Sequence, residues 1–293
     1  MDSAVQKYQA LVETVRAGSI SAAARKLDYS QSGVSRMIAD LEREWGVRLL
    51  ERGRRGVRLT PDGEQVLPFV EALCEDHRRL RERVAEVAGA DAGSIVIGTF
   101  SSVATHLIPP VVERFQRSHP AVEYELRMGD YSEIEAWVAD GLVDFGFLPY
   151  PPQEPRAGLA REVVLTDELM AVVPEGHALA EHEAISLAEL AAEPFILLER
   201  GNDNEVSPLF ERAGLEPRSR LSTWDDYAIM SMVENGLGLS ILPGLILTRC
   251  PYRVEARPLD PPVTRQIAAV FRPGLLSSAA RAFLDCMVGE RRE

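Results

Sequence analysis

The sequence contains little cysteine, almost no lysine and no long apolar run. Its three cysteines, Cys74, Cys250 and Cys286, show no CxxC spacing. This odd number argues against a disulfide framework, so we expect buried thiols in a reducing compartment, and a redox role stays open. No apolar run reaches transmembrane length, and residues 1–5 lack the charged-then-apolar pattern of a secretion signal. We therefore expect a cytoplasmic protein with no membrane partner.

The signatures of catalysis are also missing. The five histidines show no HxxxH or HExxH spacing, and no cysteine lies at zinc-ligand spacing from them. There is no Walker loop, and Gly236-Leu237-Gly238 falls at the wrong end of its predicted helix to bind phosphate. Ser101 and Ser102 lack the context of a nucleophile elbow. We therefore expect no enzyme, no metal site and no cofactor.

Charge is divided unevenly along the chain. The protein carries a net charge of −13, yet residues 1–60 hold eleven Arg and Lys against seven Asp and Glu, a net charge of +4. Residues 61–293 therefore carry −17. A basic segment on an acidic protein is typical of a module that binds nucleic-acid phosphates.

Residues 18–45 predict two short helices joined by a tight turn at Asp28-Tyr29, with Ser30 as N-cap of the second helix. The second helix should bury a stripe formed by Val34, Ile38, Leu41 and Trp45. Its first turn should face outward with Gln31, Ser32, Ser35 and Arg36. Side chains of these types read base edges and bind phosphates when a helix N-terminus enters the major groove.

An arginine-rich hairpin follows these helices. Residues 49–52 and 57–59 look like two short strands around Gly53-Arg54-Arg55-Gly56. The predicted DNA-contacting residues of the two helices and the hairpin are Ser30, Gln31, Ser32, Ser35, Arg36, Arg52, Arg54, Arg55 and Arg58. The alternative is a plain three-helix unit with solvated charges, because short helix pairs are common in α proteins.

Residues 61–89 predict one long helix, with Thr60 as its N-cap and Pro61 at its first position. Apolar residues recur along it every seven positions at Val66, Leu73, Leu80 and Val87, and Val70, His77 and Val84 occupy the other heptad position. This is the pattern of a coiled-coil seam, which one helix cannot bury alone. We expect a second subunit to cover it; packing against the chain's own α/β region is the alternative.

Beyond a small-residue joint at residues 89–93, strand and helix patterns alternate. Strand patterns occur at residues 94–98, 122–128, 143–148, 169–173, 195–198, 218–222, 239–242 and 265–271. Helix patterns occur at residues 103–117, 132–140, 205–213, 225–235 and 277–288. This alternation predicts parallel sheets with helices outside.

Ligands of open α/β sheets bind beyond the carboxyl ends of the strands. The candidates at these ends are Ser101, Ser102, Asp130, Pro149, Tyr150, Glu199, Asn202 and Trp224. At each position a helix cap or a loop is the alternative. The helix-cap alternative is strongest next to Trp224, at Thr223, because Thr223-x-x-Asp226 and Ser222-x-x-Asp225 resemble capping boxes.

The N-terminal block resembles the winged helix-turn-helix of LysR-type transcriptional regulators. The matching residues include Ala22-Ala23-Ala24-Arg25-Lys26-Leu27, Ser30-Gln31, Val34-Ser35-Arg36, Leu41-Glu42 and Glu51-Arg52. The later part of the chain resembles the regulatory domain of the same family at Leu107-Ile108-Pro109, Gly141-Leu142-Val143-Asp144 and residues 234–243. The resemblance therefore covers essentially the whole chain.

This resemblance implies an α+β multidomain protein. Residues 1–60 would form a winged helix-turn-helix DNA-binding domain, residues 61–89 a linker and dimerisation helix, and residues 90–293 a two-lobed α/β, periplasmic-binding-protein-like effector domain. Lobe I would take about 90–161 and 264–293, and lobe II about 162–263. The implied partners are double-stranded operator or promoter DNA, a small-molecule effector and further copies of the chain in a homodimer or homotetramer. RNA polymerase stays open as another partner.

The resemblance also assigns roles to residues. It makes Gln31, Ser32, Ser35 and Arg36 recognition-helix contacts and Arg55 the wing contact, and its pocket positions are Ser102, Asp130, Pro149 and residues 202–206, among them Glu205 and Val206. Asp130 stands where the family often has a neutral residue. Together with Glu199 it favours a zwitterion or a polar neutral molecule over a purely anionic effector. The implied function is a transcriptional regulator whose DNA binding or promoter activation is controlled by an effector bound between two lobes.

Overall fold

The computed structural model describes residues 3–53, 56–87, 93–151, 156–199 and 205–288. The chain forms two compact units, one of Met1–Ala90 with Asp140–Leu142 and the other of Asp91–Ala139 with Val143–Glu293. Each unit has an apolar core of its own. Each can therefore be described by itself.

The first unit begins with three helices, α1 (Ser3–Ala17), α2 (Ile20–Lys26) and α3 (Gln31–Trp45). The buried stripe predicted for α3 is confirmed, because Val34, Ile38 and Leu41 are at most 2% exposed. Trp45 extends the stripe and packs on Tyr8, with ring centroids 5.7 Å apart. Gly46 ends α3 in the left-handed region at φ 67°, where a side chain would be strained.

The predicted hairpin is also confirmed. Strands β1 (Leu50–Gly53) and β2 (Gly56–Leu59) pair antiparallel, with Glu51 opposite Arg58. Glu42 Oε1 accepts hydrogen bonds from the backbone N–H groups of Leu49 at 2.8 Å and Leu50 at 3.1 Å, which fixes the hairpin to the end of α3. We call α1 to α3 together with this hairpin the head.

The long helix α4 (Pro61–Val87) follows the hairpin. Thr60 caps it as predicted, since its hydroxyl accepts a hydrogen bond from Gly63 N at 2.9 Å. Of the predicted seam, Val70 is 2% exposed and packs into the core of the head. The apolar residues that stay 54–74% exposed are Phe69, Leu73, Leu80 and Val84, which we call the exposed α4 face. Within the described residues, no helix combines the length and apolarity that a bilayer crossing requires.

The second unit contains nine strands and several helices in alternation. The strands are β3 (Gly93–Thr99), β4 (Val122–Met128), β5 (Phe145–Tyr150), β6 (Ala160–Pro174), β7 (Ile185–Ser186), β8 (Pro194–Leu198), β9 (Arg218–Thr223), β10 (Ser240–Pro243) and β11 (Val254–Phe271), within the ranges that the structure describes. The helices are α5 (Ile108–Gln116), α6 (Tyr131–Asp140), α7 (Leu187–Ala192), α8 (Ser207–Ala213), α9 (Asp226–Glu234), α10 (Gly244–Leu247) and α11 (Ser278–Val288). A π-helix (Val103–Leu107) leads into α5, and a 3-10 helix (Ala178–Glu181) precedes β7.

The sheets are only partly parallel. The larger sheet has the order β10-β6-β11-β5-β3-β4, with β7 beside β11, and β8 pairs with β9 separately. Strand β3 runs parallel to β4 and β5, and β8 runs parallel to β9, as predicted. The prediction is wrong for β6, β10 and β11, which pair antiparallel. The physical reason is that β6 leaves one core and β11 returns to it, so the two strands run in opposite directions.

Two groups of buried side chains define two lobes in this unit. The first lobe has a core around Ile97, Phe145 and Phe283, and the second has cores around Phe195, Phe210 and Ile229. Strand β6 contributes Val164 to the first lobe and Leu169 to the second. Strand β11 likewise contributes Leu259 to the second and Ile267 to the first. The chain therefore crosses between the lobes at residues 165–168 and returns at residues 260–266.

The three cysteines are half-buried and unpaired, rather than fully buried as predicted. Burial raises the pKa of the Cys74 thiol to about 11. That thiol therefore stays protonated near neutral pH, and the thiolate is the reactive form of cysteine.

Candidate functional site

The N-terminal turn of α3 presents polar side chains to solvent. Ser30 accepts a hydrogen bond from Gly33 N at 3.0 Å, so it caps the helix as predicted. The exposed residues of this turn are Ser30, Gln31, Ser32 and Arg36, whereas Ser35 is half-buried. The Arg36 side chain is 85% exposed, and its Nε lies 4.0 Å from Asp40. The turn therefore offers hydroxyl, amide and guanidinium groups on one exposed surface.

The hairpin is described only in part. Arg58 is exposed on β2. Arg54 and Arg55 lie outside the described residues, and so does the side chain of Arg52. Contact of these arginines with DNA stays a prediction.

A cavity of about 80 Å³ opens between the two lobes of the second unit. A cavity needs about 10–15 Å³ of such space to hold one water, so this cavity has room for a small organic molecule. It lies beyond the carboxyl ends of β3, β4, β8 and β9, where the sheet topology predicts a ligand. The residues named from the sequence that line it are Ser101, Ser102, Asp130, Glu199, Glu205 and Trp224. We call this cavity the cleft.

Other predicted pocket residues lie elsewhere. Pro149 and Tyr150 stand at the end of β5 and do not line the cleft. Val206 is 1% exposed and packs in the core of the second lobe, because its side chain is apolar and α8 begins there. Asn202 lies outside the described residues.

Arg265, which the sequence did not single out as a site residue, lies at the centre of the cleft. Its Nε and Nη2 donate to Asp167 Oδ2 at 3.0 and 2.9 Å, and its Nη1 donates to Glu205 Oε2 at 2.9 Å. Its side chain is 8% exposed. Burial lowers the pKa of Arg265, but the charges of Glu205 and Asp167 outweigh that effect and hold the pKa above its ordinary value. The guanidinium is therefore a fixed, paired charge.

Ser102 belongs to the same network. It is 2% exposed, and its hydroxyl accepts a hydrogen bond from Arg265 Nη2 at 3.2 Å. It makes no capping hydrogen bond to the helix that follows. The contact of its side chain with Arg265 thus links the first lobe to β11, and the helix-cap alternative is not supported.

Asp130 combines a capping role with its place in the cleft. Its Oδ1 accepts from Glu133 N and from the Ser132 hydroxyl, both at 2.8 Å, and its own N–H donates to Glu133 Oε2 at 2.9 Å. This is a reciprocal cap at the start of α6. Part of its carboxylate is therefore committed to local structure.

Asp226 is the second residue of the cleft that was not singled out from the sequence. The preceding Asp225 caps α9 by accepting from Tyr227 N at 3.0 Å and Ala228 N at 3.2 Å, so Thr223 is not the cap. Asp226 is 8% exposed, and among the described residues no group donates a hydrogen bond to its carboxylate. Burial raises the pKa of Asp226 to about 7; Arg265 opposes the shift, while Asp225 and Glu205 add to it.

The cleft therefore contains side chains that can hydrogen-bond a ligand and aromatic rings that can contact its apolar part. Phe100 and Tyr131 pack edge-to-face with centroids 5.1 Å apart, and the Arg265 guanidinium lies 5.8 Å from the centre of the Phe100 ring. No group of His, Cys, Asp and Glu suited to a metal ion occurs in the part of the chain that the structure describes.

A winged helix-turn-helix followed by a two-lobed α/β unit with a ligand-sized cleft defines a ligand-responsive, DNA-binding regulator. Comparison with known proteins makes this class specific. Residues 5–64 match the family model described as bacterial regulatory helix-turn-helix protein, lysR family, and residues 88–292 match the LysR substrate binding domain. The chain belongs to the LysR family of transcriptional regulators, which are not enzymes.

Individual relatives agree with this assignment. The probable HTH-type transcriptional regulator LrrA of Synechococcus elongatus is 35% identical over 286 residues, covering 97% of this chain and 96% of that protein. HinK, a LysR family transcriptional regulator from Pseudomonas aeruginosa, is 28% identical with a TM-score of 0.61 and 97% coverage of each chain. CbnR, a LysR family transcriptional regulator, shares the fold with a TM-score of 0.74 at 22% identity, covering 100% of this chain and 99% of that one.

Proposed function

We propose that a small molecule bound in the cleft controls how this regulator binds its operator DNA or activates its promoters. The observation that carries the proposal is the Arg265 network, which joins Ser102 of the first lobe to Glu205 of the second. A ligand group that hydrogen-bonds to either residue perturbs this network. A ligand shifts a conformational equilibrium only by its differential affinity for the two states, and a rearrangement of this network would provide that difference.

The exposed turn of α3 supplies the DNA contacts. Gln31, Ser32, Ser35 and Arg36 would reach base edges, with Ser30 beside them, and the hairpin arginines Arg52, Arg54, Arg55 and Arg58 would contact the backbone or the minor groove. Support comes from the exposure of Gln31, Ser32, Arg36 and Arg58 and from the net charge of +4 on residues 1–60.

The exposed α4 face supports assembly into a homodimer or homotetramer. Leu73 and Leu80 are seven residues apart and Val84 follows four residues later, as in the predicted heptad seam, while Phe69 lies outside the two seam positions. In this proposal residues 1–60 contact DNA, residues 61–89 dimerise, and residues 90–293 bind the effector. The lobes meet where the chain crosses at residues 165–168 and 260–266, later than the predicted boundary near residue 161 because Val164 packs in the first lobe. The protein works in the cytoplasm because its DNA target is there, and RNA polymerase stays open as a further partner.

A thermal-shift screen of metabolites on the full-length protein tests the role of the cleft. A ligand that binds only the folded state raises the melting temperature. Ser102→Ala should weaken that shift, and the matched control Ser219→Ala, whose hydroxyl donates to Leu221 O on β9, should behave like the wild type. Ligand-free affinity for an operator fragment selected from a random DNA pool should be the same in all three proteins. An equal thermal shift with and without the Ser102 hydroxyl would show that the ligand binds elsewhere.

A further inference from the structure

The described part of the cleft contains more acidic than basic side chains. Among the described residues, four carboxylates line it, those of Asp130, Glu199, Glu205 and Asp226, against one guanidinium, that of Arg265. That guanidinium already uses four of its five N–H groups on Asp167, Glu205 and Ser102. An anionic ligand would therefore meet several negative charges and a cation with almost no donors left.

Two acceptors in the cleft have no donor among the described residues. Asp226 is 8% exposed and lines the cavity, and its carboxylate accepts no hydrogen bond from the described residues. Glu205 gives its Oε2 to Arg265, and its Oε1 is buried without a partner in the described part of the chain. A buried acceptor without a donor is destabilising, so these atoms are suited to a group that brings N–H donors and positive charge.

The raised pKa of Asp226 is consistent with a carboxylate that lacks a hydrogen-bond donor. Burial raises the pKa of its carboxyl to about 7 even though Arg265 lies near enough to lower it. The cation already present therefore does not satisfy this carboxylate. Buried acids that are kept at a cost to stability are concentrated at ligand-binding and catalytic sites.

Aromatic side chains also line the cleft. Trp224 lines the cleft and is 51% exposed, and Tyr131 lines it beside Asp130. The face of an indole or phenol ring attracts a cation within about 6 Å. An ammonium group that enters the cleft would thus have aromatic faces beside it as well as carboxylates ahead of it.

We propose that the effector carries a protonated amine, and that this ammonium group binds Asp226 and Glu205 Oε1 beside Trp224. The inference rests on the proposed function, because it names the chemical class of the molecule that occupies the same cleft. The ligand class is therefore amines and amino-acid-like zwitterions, and simple carboxylic acids are excluded. The hydroxyl of Ser102 accepts from Arg265 and keeps its own proton for a polar group at the other end of the effector.

The test uses the full-length protein and matched pairs of probes. Each pair joins an amine to the analogue with hydroxyl in its place: L-α-amino acids with the corresponding 2-hydroxy acids, and short linear diamines with diols. Thermal shifts are followed by calorimetry at a pH above about 7, where Asp226 is ionised. At least one amine should bind, and its hydroxyl analogue should bind about tenfold more weakly or worse, because a hydrogen bond to a charged group is lost.

Variants assign the effect to Asp226. Asp226→Asn should weaken binding of the amine about tenfold or more. The control Glu211→Gln removes an exposed carboxylate from α8 and should leave the affinity unchanged. If Asp226→Asn does not give a cooperative melting transition, Glu205→Gln takes its place, since its amide oxygen can still accept from Arg265 while its negative charge is lost.

The outcomes separate this inference from the proposed function. If hydroxyl analogues bind as tightly as amines, or if no amine in the set binds, the amine inference is wrong. The proposed function survives that result when a non-amine ligand binds and Ser102→Ala weakens it. If a bound ligand is insensitive to both Ser102→Ala and Asp226→Asn, the cleft is not its site and both proposals fail.

Discussion

The head and the cleft use charged side chains in opposite ways. On the head, Arg36 is 85% exposed and its nearest acidic partner lies 4.0 Å away. In the cleft, Arg265 is 8% exposed and donates to three different side chains. An exposed cation can exchange its counterions for DNA phosphates, whereas a buried one must be paired to be tolerated. DNA binding should therefore depend on salt, and the cleft should depend on individual partners and on pH.

Removing the buried cation should have the largest effect. Arg265→Ala leaves Asp167 and Glu205 buried without their partner, which should destabilise the protein by about 3–5 kcal/mol. Urea unfolding of the full-length chain measures this. The control Arg117→Ala removes an arginine that is 75% exposed and paired with an equally exposed Glu113, and should change stability little. A loss of stability below about 1 kcal/mol for Arg265→Ala would show that Asp167 and Glu205 do not need Arg265 to be tolerated in the folded protein.

Placing charges on the exposed α4 face should have the second-largest effect. Leu73→Glu with Leu80→Glu places charges on this apolar surface and should dissociate the oligomer. Paired heads read two half-sites together, so operator affinity should fall about a hundredfold or more. Light scattering gives the mass, with Gln65→Glu as a control on an exposed position of the same helix. Retention of the native mass would show that the face packs within one chain.

The exposed cation of the head should have a smaller effect that depends on salt. Arg36→Ala should cost about 1–3 kcal/mol of DNA affinity for a base contact, or lower the salt slope by about 1 for a phosphate contact. Arg43→Ala is the matched control, because Arg43 is 75% exposed at the other end of α3. Filter binding across a salt series distinguishes the two cases. If neither the affinity nor the slope changes, α3 does not contact DNA through Arg36.

The smallest expected effect is the pH dependence contributed by Asp226. Its pKa is about 7 in the folded protein and has an ordinary value of 3.8. Between these values the folded protein keeps a proton that the unfolded chain releases, so wild-type stability falls as pH rises through this window. Asp226→Asn should remove that fall and be the more stable protein above the window, by at least about 1 kcal/mol. Thermal melts of both proteins at several pH values measure it, and parallel curves would contradict the assignment.

The difference between the two regions also explains what could be predicted from the sequence. The head is built from neighbouring residues, so the stripe at Val34, Ile38 and Leu41 and the caps at Ser30 and Thr60 were all visible in local patterns. Five lining residues of the cleft were also predicted because residues beyond strand ends can be located from strand patterns, and the family resemblance added a sixth, Glu205.

The centre of the cleft depends on contacts distant in sequence. Arg265 and Ser102 are 163 positions apart, and no local spacing indicates that they meet. Asp226 looked like part of a capping box, and only its burial separates it from the true cap, Asp225. The first half of β6 was missed because charged residues such as Arg161, Glu162 and Asp167 interrupt its apolar pattern. The prolines Pro258, Pro261 and Pro262 hid the first half of β11 in the same way.

Coupling between the cleft and the head is what makes the protein a ligand-controlled regulator, and thermodynamic linkage tests that coupling directly. If a ligand in the cleft changes operator affinity by some factor, operator DNA must change ligand affinity by the same factor. Calorimetric titration of the ligand into the wild-type protein, with and without saturating operator DNA, measures this factor. We expect about a 5- to 150-fold difference, equal to the change in DNA affinity and reduced in Ser102→Ala. Identical ligand affinities with and without DNA would contradict control of DNA binding by the cleft.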